Sequence, residues 1–435
     1  MPGPSIETTA ARSPEAHRDG GGVARIVVPY RIVRVTGTNG KTTTSSMIDA
    51  VAMHAGEASA RVTTVGAWVR GEPTSNESSL DSMKRTLDLA AASGVRTMVL
   101  ESTSYALSRG AAHELPATVG VFTNLTRDHL GVHGTPEAYL AAKAQLFMTL
   151  LPGGVAVVNA ADPASALLAE VTPPAVRVVA YAARAVDPAC VSLPLALSAA
   201  RVTVDRRGTR IELAPSPLAD RLGGALALRV VGHVHAENAL AAAVAADALG
   251  YPPEAIREAL ASFAGVPGRF EQVDRPDGRL VVVDYAHTPD ALERTLALAR
   301  SLVEAEKGRV ICVFGCGGDR DRGKRPEMGR VAAELADRVV VTMDNPRGER
   351  PEDIAAEILS GVVGRFDPPI RITDRGQAIR EAIAWAGVRD IVVIAGKGHE
   401  KTQILRDRIV PFDDVEVARS APSAADGETG RKSRT

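Results

Sequence analysis

The chain has 435 residues, enough for two or three domains with buried cores at roughly 150 residues per domain. Its 51 Lys and Arg are matched by 52 Asp and Glu, which excludes a general nucleic-acid or membrane-surface binder, since both need a surplus of cations. Apolar residues at 45% and charged residues at 24% exclude wholesale disorder, and 3% aromatics argue against base-stacking platforms.

Residues 1–22 mix Pro, Gly, Ser and charges without an apolar stretch, so they read as a disordered tail and not as a signal peptide. From Arg25 to about Asn159, short apolar runs alternate with helix-like stretches. RIVRVTG leads into TTTSSMIDAVAMHAG, and VRTMVLES, ATVGVFTNL, PEAYLAAKAQLFMTLL and GVAVVNA follow. Uninterrupted apolar strands separated by helices predict a buried parallel sheet covered on both faces. Between about 175 and 231, RVTVDRRGTRIEL alternates across a glycine-containing turn, which predicts a hairpin in a small antiparallel insertion. HAENALAAAVAADALG reads as a helix ending at Gly250. After GVPGRF a second series begins, with strands LVVVDYA, ICVFGC, RVVVTM and IVVIAG and helices from about 289, 326, 351 and 375. Thr288-Pro289 supplies one helix start, because proline in a first turn forfeits no hydrogen bond.

The predicted organisation is α/β. A P-loop, parallel-sheet ATP-binding domain with a small antiparallel insertion spans 23–265, and a second, Rossmann-like α/β domain spans 266–418. Tails cover 1–22 and 419–435. No segment approaches the roughly 18 apolar residues needed to span a bilayer. Cys190, Cys312 and Cys316 are too few for a disulfide framework, so buried structural thiols and a cytoplasmic setting are expected.

The strongest local signal is GTNGKTT, Gly37 to Thr43, directly after RIVRVT. In a strand–loop–helix phosphate cradle the amides of Gly37, Thr38, Asn39 and Gly40 close around phosphates, helped by the positive end of the helix dipole. Lys41 meets the outer phosphates and Thr42 a magnesium ion, with Thr43 beside it. The competing reading is a glycine-rich turn with an exposed lysine, which the strand–loop–helix order disfavours. The loop points to ATP or GTP without specifying a reaction. Hard cations take oxygen ligands, and Glu101 and Asp128-His129 sit at the carboxyl ends of predicted strands, where an open sheet has its crevice. Taken singly, Glu101 reads equally as a solvated strand end and Asp128 as a turn cap.

Together GTNGKTT, LESTSYAL, FTNLTRDHLGVHGTPEAYLAAKAQLF, GVPGRFE, DYAHTPDALE, FGCGGDRDRGKRPEMG, DNPRGE and AGKGHE resemble the Mur ligase family, in order from about 31 to 418. Within it they are most similar to the diamino-acid-adding type. The resemblance implies an ATP-dependent, ADP-forming ligase that makes an amide through an acyl phosphate. Two anions must meet in such a reaction, so neutralisation by Mg²⁺, Lys41 and backbone donors is expected to carry most of the acceleration. By position, the resemblance implies that Thr42 and Glu101 hold one magnesium ion and that His129 joins Glu101 at a second. Lys143, in YLAAKAQLF, takes the place of a lysine that becomes carbamylated into an anionic oxygen ligand. The implied catalytic set is thus Lys41, Glu101, His129 and Lys143. Asn238, Arg269 and Asp284 would contact the nucleotide, with His287 nearby. Asp344, Asn345, Arg347, Gly396 and Glu400, with Arg320, would form the amino-acid pocket. Two arginines suit a substrate with carboxylates, and Glu400 suits an ammonium group.

The chain also departs from the family pattern. No UDP-gripping domain fits ahead of Gly37, Tyr105 stands where a histidine is usual, Gly131 replaces an acid, and Val234 and His235 replace a Phe-Asn pair. These departures lead to the expectation of a small carboxylate acceptor, such as free glutamate or a short peptide, in specialised metabolism. Cell-wall tripeptide synthesis is the alternative reading. A catalytically silent nucleotide-binding subunit is the third. The expected partners are small molecules only, with no nucleic acid or membrane, and a monomeric chain.

Overall fold

The computed structural model describes residues 15–17, 25–75, 80–126, 133–363 and 368–422, and the chain divides into two compact units between Ala264 and Gly265.

The first unit is built on one sheet. Its strands are β1 (Arg31–Thr36), β2 (Ser59–Thr63), β3 (Gly66–Val69), β4 (Glu72–Ser75), β5 (Thr97–Glu101), β6 (Val119–Phe122), β7 (Val155–Asn159), β8 (Arg177–Ala182), β9 (Leu195–Asp205), β10 (Gly208–Leu213) and β11 (Ala225–Leu228). They lie in the order β11-β10-β9-β8-β7-β6-β1-β5-β2-β3-β4. The stretch from β9 to β2 is parallel throughout. Its inner strands are buried on both faces, which is why VAVVN and VGVF read as unbroken apolar runs. Its helices include α1 (Lys41–His54), α2 (Leu80–Ala92), α3 (Ser104–Ser108), α4 (Pro136–Met148), α5 (Ala164–Val171), α6 (His233–Ala248) and α7 (Pro253–Ser262), with two further short turns of helix at Ala111–Glu114 and Pro217–Arg221. Residues 239–246 of α6 are buried all round, so this alanine helix is enclosed and not amphipathic.

The predicted hairpin is β9 and β10, closed by Asp205 opposite Gly208. Its antiparallel pairing is as expected, and β9 also pairs in parallel with β8, so this part continues the main sheet. At the other margin β2, β3 and β4 form an antiparallel run that the sequence reading did not anticipate, with Pro73 of β4 opposite Trp68. The expected amino-terminal tail contributes a short strand, Glu15–His17, paired with Arg25–Val27.

The second unit carries β12 (Glu271–Gln272), β13 (Leu280–Asp284), β14 (Val310–Phe314), β15 (Arg338–Val341), β16 (Ile370–Arg371) and β17 (Ile391–Ala395), in the order β12-β13-β17-β14-β15-β16. All neighbours are parallel except β12 with β13. Helices α8 (Pro289–Val303), α9 (Lys324–Leu335), α10 (Pro351–Leu359) and α11 (Arg375–Trp385) alternate with these strands. A hairpin of β18 (Thr402–Ile404) with β19 (Ile409–Pro411) follows, then α12 (Asp414–Ser420), which runs two residues past the expected boundary at 418. Val281, Val283, Ile311, Val313, Val392 and Ile394 form the core with Ile379, Ala382 and Ile383 of α11. Thr288 caps α8 by accepting from the Ala291 N–H, with Pro289 in the first turn as predicted. No helix among the described residues is long and apolar enough to cross a membrane.

Candidate functional site

In the first unit β1 lies between β5 and β6, so the loops leaving their carboxyl ends meet at a switch in strand order, the usual place for a ligand crevice. The loop from Gly37 to Gly40 is braced there by the residues after β6. The Thr38 N–H donates to the Asn124 carbonyl at 2.8 Å. The Asn39 N–H donates to Asn124 Oδ1 at 2.9 Å, and Thr123 Oγ1 donates to the Asn39 carbonyl at 2.6 Å. A side chain at Gly37 would lie 1.9 Å from Thr123 Oγ1, and one at Gly40, at φ 82°, would lie 2.2 Å from Asn238 Oδ1. Both positions therefore exclude any other residue. No side chain caps the amino end of α1, which leaves its first-turn amides suited to an anion. Thr42 and Thr43 occupy that first turn, and Lys41 Nζ donates back to the Thr38 carbonyl at 2.7 Å.

Thr42 Oγ1 donates to Glu101 Oε2 at 2.9 Å, and the Thr64 N–H reaches the same oxygen at 3.0 Å. A hydroxyl and a carboxylate side by side suit magnesium, which takes few protein oxygens and draws its other ligands from water and phosphates. Among the described residues no three His, Cys, Asp or Glu side chains gather into a metal cluster. Asp128, His129 and Gly131 lie outside the described residues. Lys143, a residue only 1% exposed, projects from α4, and Nζ donates to the Gly37 carbonyl at 2.8 Å. It sits 4.2 Å from the Tyr139 ring centroid, and Tyr139 Oη is 3.2 Å from Thr38 Oγ1. Asn238, buried in α6, accepts from Thr44 Oγ1 at 3.3 Å. His235, one turn earlier, is buried with Nδ1 unpaired, and burial pushes its imidazole down to about 4. Tyr105 is 52% exposed on α3, with the Arg109 guanidinium 4.5 Å from its ring centroid.

In the second unit Asp284 closes β13. It accepts from the Phe270 and Ala286 N–H groups at 2.7 and 2.9 Å and from Thr295 Oγ1 at 3.1 Å. Burial nevertheless pushes its carboxyl up, against those bonds and the charge of Arg269. The Arg269 guanidinium lies 5.0 Å from the Tyr285 ring centroid, and that ring packs against His287 and His399 at 4.6 and 5.2 Å. Gly268, at φ 69°, leaves room only for the His399 backbone.

The ends of β14, β15 and β17 assemble the remaining candidates. Gly396 has φ 114°, and a side chain there would lie 2.6 Å from Asp344 Oδ2. The Asp344 carboxyl is raised by burial, opposed by Arg375 and Lys397. Asn345 Nδ2 donates to Glu400 Oε2 at 2.8 Å. Burial works to raise the Glu400 carboxyl, but Lys397, Asn345 and His399 together hold it below its ordinary value. Arg347, itself at φ 51°, donates from Nη1 to the Gly318 carbonyl at 2.9 Å. A side chain at Gly317 would meet that Nη1 at 2.9 Å and Arg320 Cγ at 3.6 Å, so both arginines run alongside this glycine.

The structure thus brings Gly37 to Thr43, Glu101, Lys143 and Asn238 together in the first unit. In the second it gathers Asp284, Arg269 and His287, and separately Arg320, Asp344, Asn345, Arg347, Gly396 and Glu400. Sequence reasoning missed Thr123, Asn124, Thr64, Tyr139 and Lys397. The FTN triplet after a strand and the i, i+4 spacing of Tyr139 and Lys143 were available signals. The three cysteines are free and buried, and burial pushes the Cys312 and Cys316 thiols up to about 12.

Comparison with known proteins agrees with this arrangement. The Mur ligase middle domain matches residues 35–246, and the Mur ligase, glutamate ligase domain matches 268–398. The UDP-N-acetylmuramoyl-L-alanyl-D-glutamate--2,6-diaminopimelate ligase of Synechococcus elongatus is 40% identical over 400 residues, covering 90% of this chain and 76% of that protein. A solved structure of a ligase of the same name aligns with TM-score 0.67 at 36% identity, over 93% of this chain and 80% of the other. E. coli FolC in complex with DHPP and ADP shares the fold, with TM-score 0.62 at 21% identity over 86% of each chain.

Proposed function

This chain belongs to the Mur ligase family, and from that premise we propose that it joins 2,6-diaminopimelate to the D-glutamyl carboxylate of UDP-N-acetylmuramoyl-L-alanyl-D-glutamate. The chemistry is ADP-forming ligation of carbon to nitrogen. The relatives reported above are named for the cell-wall reaction, which favours this acceptor over the small free acid expected from the sequence departures. The single observation that carries the reading is the joint presence of two built sites. One is a phosphate cradle bearing a hydroxyl–carboxylate pair. The other is a cluster that offers arginines and a carboxylate to an amino acid with charges of both signs.

In this reading the amides of residues 37–40 and Lys41 would hold the ATP phosphates, and Thr42 and Glu101 would hold magnesium. The metal supplies charge neutralisation where the carboxylate meets the γ-phosphoryl group. The acid leaves that step as an acyl phosphate, and the amine of the incoming amino acid displaces phosphate to form the amide. Asn238, Arg269, Asp284 and His287 serve the nucleotide. Arg320, Arg347, Asp344, Asn345, Gly396 and Glu400 serve the amino acid, with each guanidinium able to grip a carboxylate through paired donors. Lys143 stands as the residue for carbamylation, and His129 would join Glu101 at a second magnesium ion.

The test is ADP release by purified protein across acceptors and amino acids. Turnover that requires the UDP-linked dipeptide together with diaminopimelate supports the reading. Robust turnover with free glutamate or short peptides, and none with the UDP-linked dipeptide, overturns the acceptor. An ¹⁸O-labelled acceptor carboxylate must deliver label to the released phosphate; label that never arrives there overturns the acyl phosphate.

A further inference from the structure

Lys397 lies two residues past the end of β17, between Gly396 and Gly398, both at positive φ. Its side chain is 0% exposed. Nζ donates to Asn345 Oδ1 at 3.0 Å and to Glu400 Oε2 at 2.9 Å. Asn345 closes the triangle by donating from Nδ2 to the same Glu400 Oε2 at 2.8 Å, while its Oδ1 also accepts from the Ile404 N–H at 3.0 Å. Glu400 Oε2 is therefore doubly occupied, and Oε1 accepts no hydrogen bond from the described residues.

We propose that Lys397 is a positioning residue for the incoming amino acid: it clamps Asn345 and one oxygen of Glu400, so that Oε1 is presented alone to the substrate's ammonium group. The proposal rests on the reading of this cluster as the amino-acid site. Lys397 is fully buried and the Glu400 side chain 33% exposed, and an ion pair with a buried member is a poor device for stability, since replacing both partners with apolar groups often costs nothing. Its use here is geometric. Asn345 follows β15, Lys397 lies two residues past β17 and Ile404 ends β18, so Lys397 and Asn345 together tie the carboxylate to three separate segments. A carboxylate held by one oxygen cannot rotate to satisfy itself, and its other oxygen stays available in a fixed direction. The charged and titratable groups acting on Glu400 are Lys397, His399, Tyr285, Asp344 and Arg375. Of these only Lys397 is bonded to it.

The experiment combines substrate-free titration with kinetics. The side-chain carboxyl ¹³C resonance of Glu400 is followed against pH in wild type and in Lys397→Met. Without the lysine, burial dominates, and the Glu400 titration moves up by at least one pH unit. In steady state the same variant raises the KM for diaminopimelate at least tenfold with the KM for ATP unchanged. Its KM for the amino acid acquires an acid limb at the pH where Glu400 protonates, which a merely structural lysine would not produce. The double variant Lys397→Met/Glu400→Gln leaves no unpaired, partly buried carboxylate at position 400, so it folds even where the single variant does not. Its KM matches that of Glu400→Gln within twofold. Glu400 titrating alike in both proteins, or additive effects in the double variant, overturns the clamp. A wild-type protein that neither binds nor turns over diaminopimelate, yet shows the Glu400 shift, overturns the reading of the site and not the clamp.

Discussion

The Lys143 ammonium donates to the Gly37 carbonyl at 2.8 Å, so a buried cation on α4 ends at the first residue of the phosphate loop. Lys143→Ala is expected to lower kcat on the order of 100-fold, the scale seen when one preorganised polar group is removed from an active site. ADP release measured with saturating substrates checks this. If Lys143 works as a carbamate, stripping CO₂ from the buffer lowers the wild-type rate and bicarbonate restores it.

Gly40 leaves no room for a side chain because Asn238 Oδ1 would lie 2.2 Å away. Gly40→Ala also forces an L-residue into a left-handed conformation, a strain of about 1–3 kcal/mol. ATP affinity measured by calorimetry should fall between about fivefold and a hundredfold on that scale. Gly40→Ala/Asn238→Ala recovers only part of the loss, since it removes the clash and keeps the strain.

Arg347→Ala removes a guanidinium from the candidate amino-acid cluster. A charge-assisted hydrogen bond is worth about 1.5–3 kcal/mol, so the KM for diaminopimelate should rise about tenfold to a hundredfold. The KM for ATP stays where it was. An unchanged KM for the amino acid would remove Arg347 from the pocket.

Burial holds the His235 imidazole neutral, down to about 4, whereas in the unfolded chain it protonates near 6.5. Between those values the unfolded state binds more protons, so folding stability rises with pH from about 4 to about 6.5 and is flat above. His235→Asn should therefore reduce the stability difference between pH 7 and pH 4.5 by about 2–3 kcal/mol. Urea denaturation followed through Trp68, in a Trp385→Phe background, reports the first unit alone.

Arg375 and Asp414 form a bidentate pair with both side chains 0% exposed, joining the starts of α11 and α12. Arg375→Ala leaves an uncompensated buried carboxylate and should destabilise the second unit by about 3–5 kcal/mol. Trp385 fluorescence in a Trp68→Phe background gives the transition.

The phosphate loop was legible because its signal is local: a β-branched strand, two glycines and a helix start within one short segment. The same holds for Thr288-Pro289 as a helix start. Placing Thr42 beside Glu101 needed knowledge that β1 and β5 are neighbours, and strand adjacency is not written in periodicity. Lys397 was passed over for that reason, since its partners belong to different strand ends and a lysine between glycines looks solvated. The hairpin of β9 and β10 was visible from its alternation, but its parallel pairing with β8 was not. The β2–β4 run was missed although Gly66 and Gly71 mark its turns, because Ser-Ala-Arg-Val-Thr lacks a clean apolar alternation.

One consequence of Pro73 in β4 concerns the behaviour of many copies together. The strand forms an outer margin of the sheet, and Pro73 has no N–H to offer a newcomer. Another polypeptide attempting to add itself along that border meets an interrupted ladder, so self-templated sheet growth is checked on that flank even when the protein is concentrated.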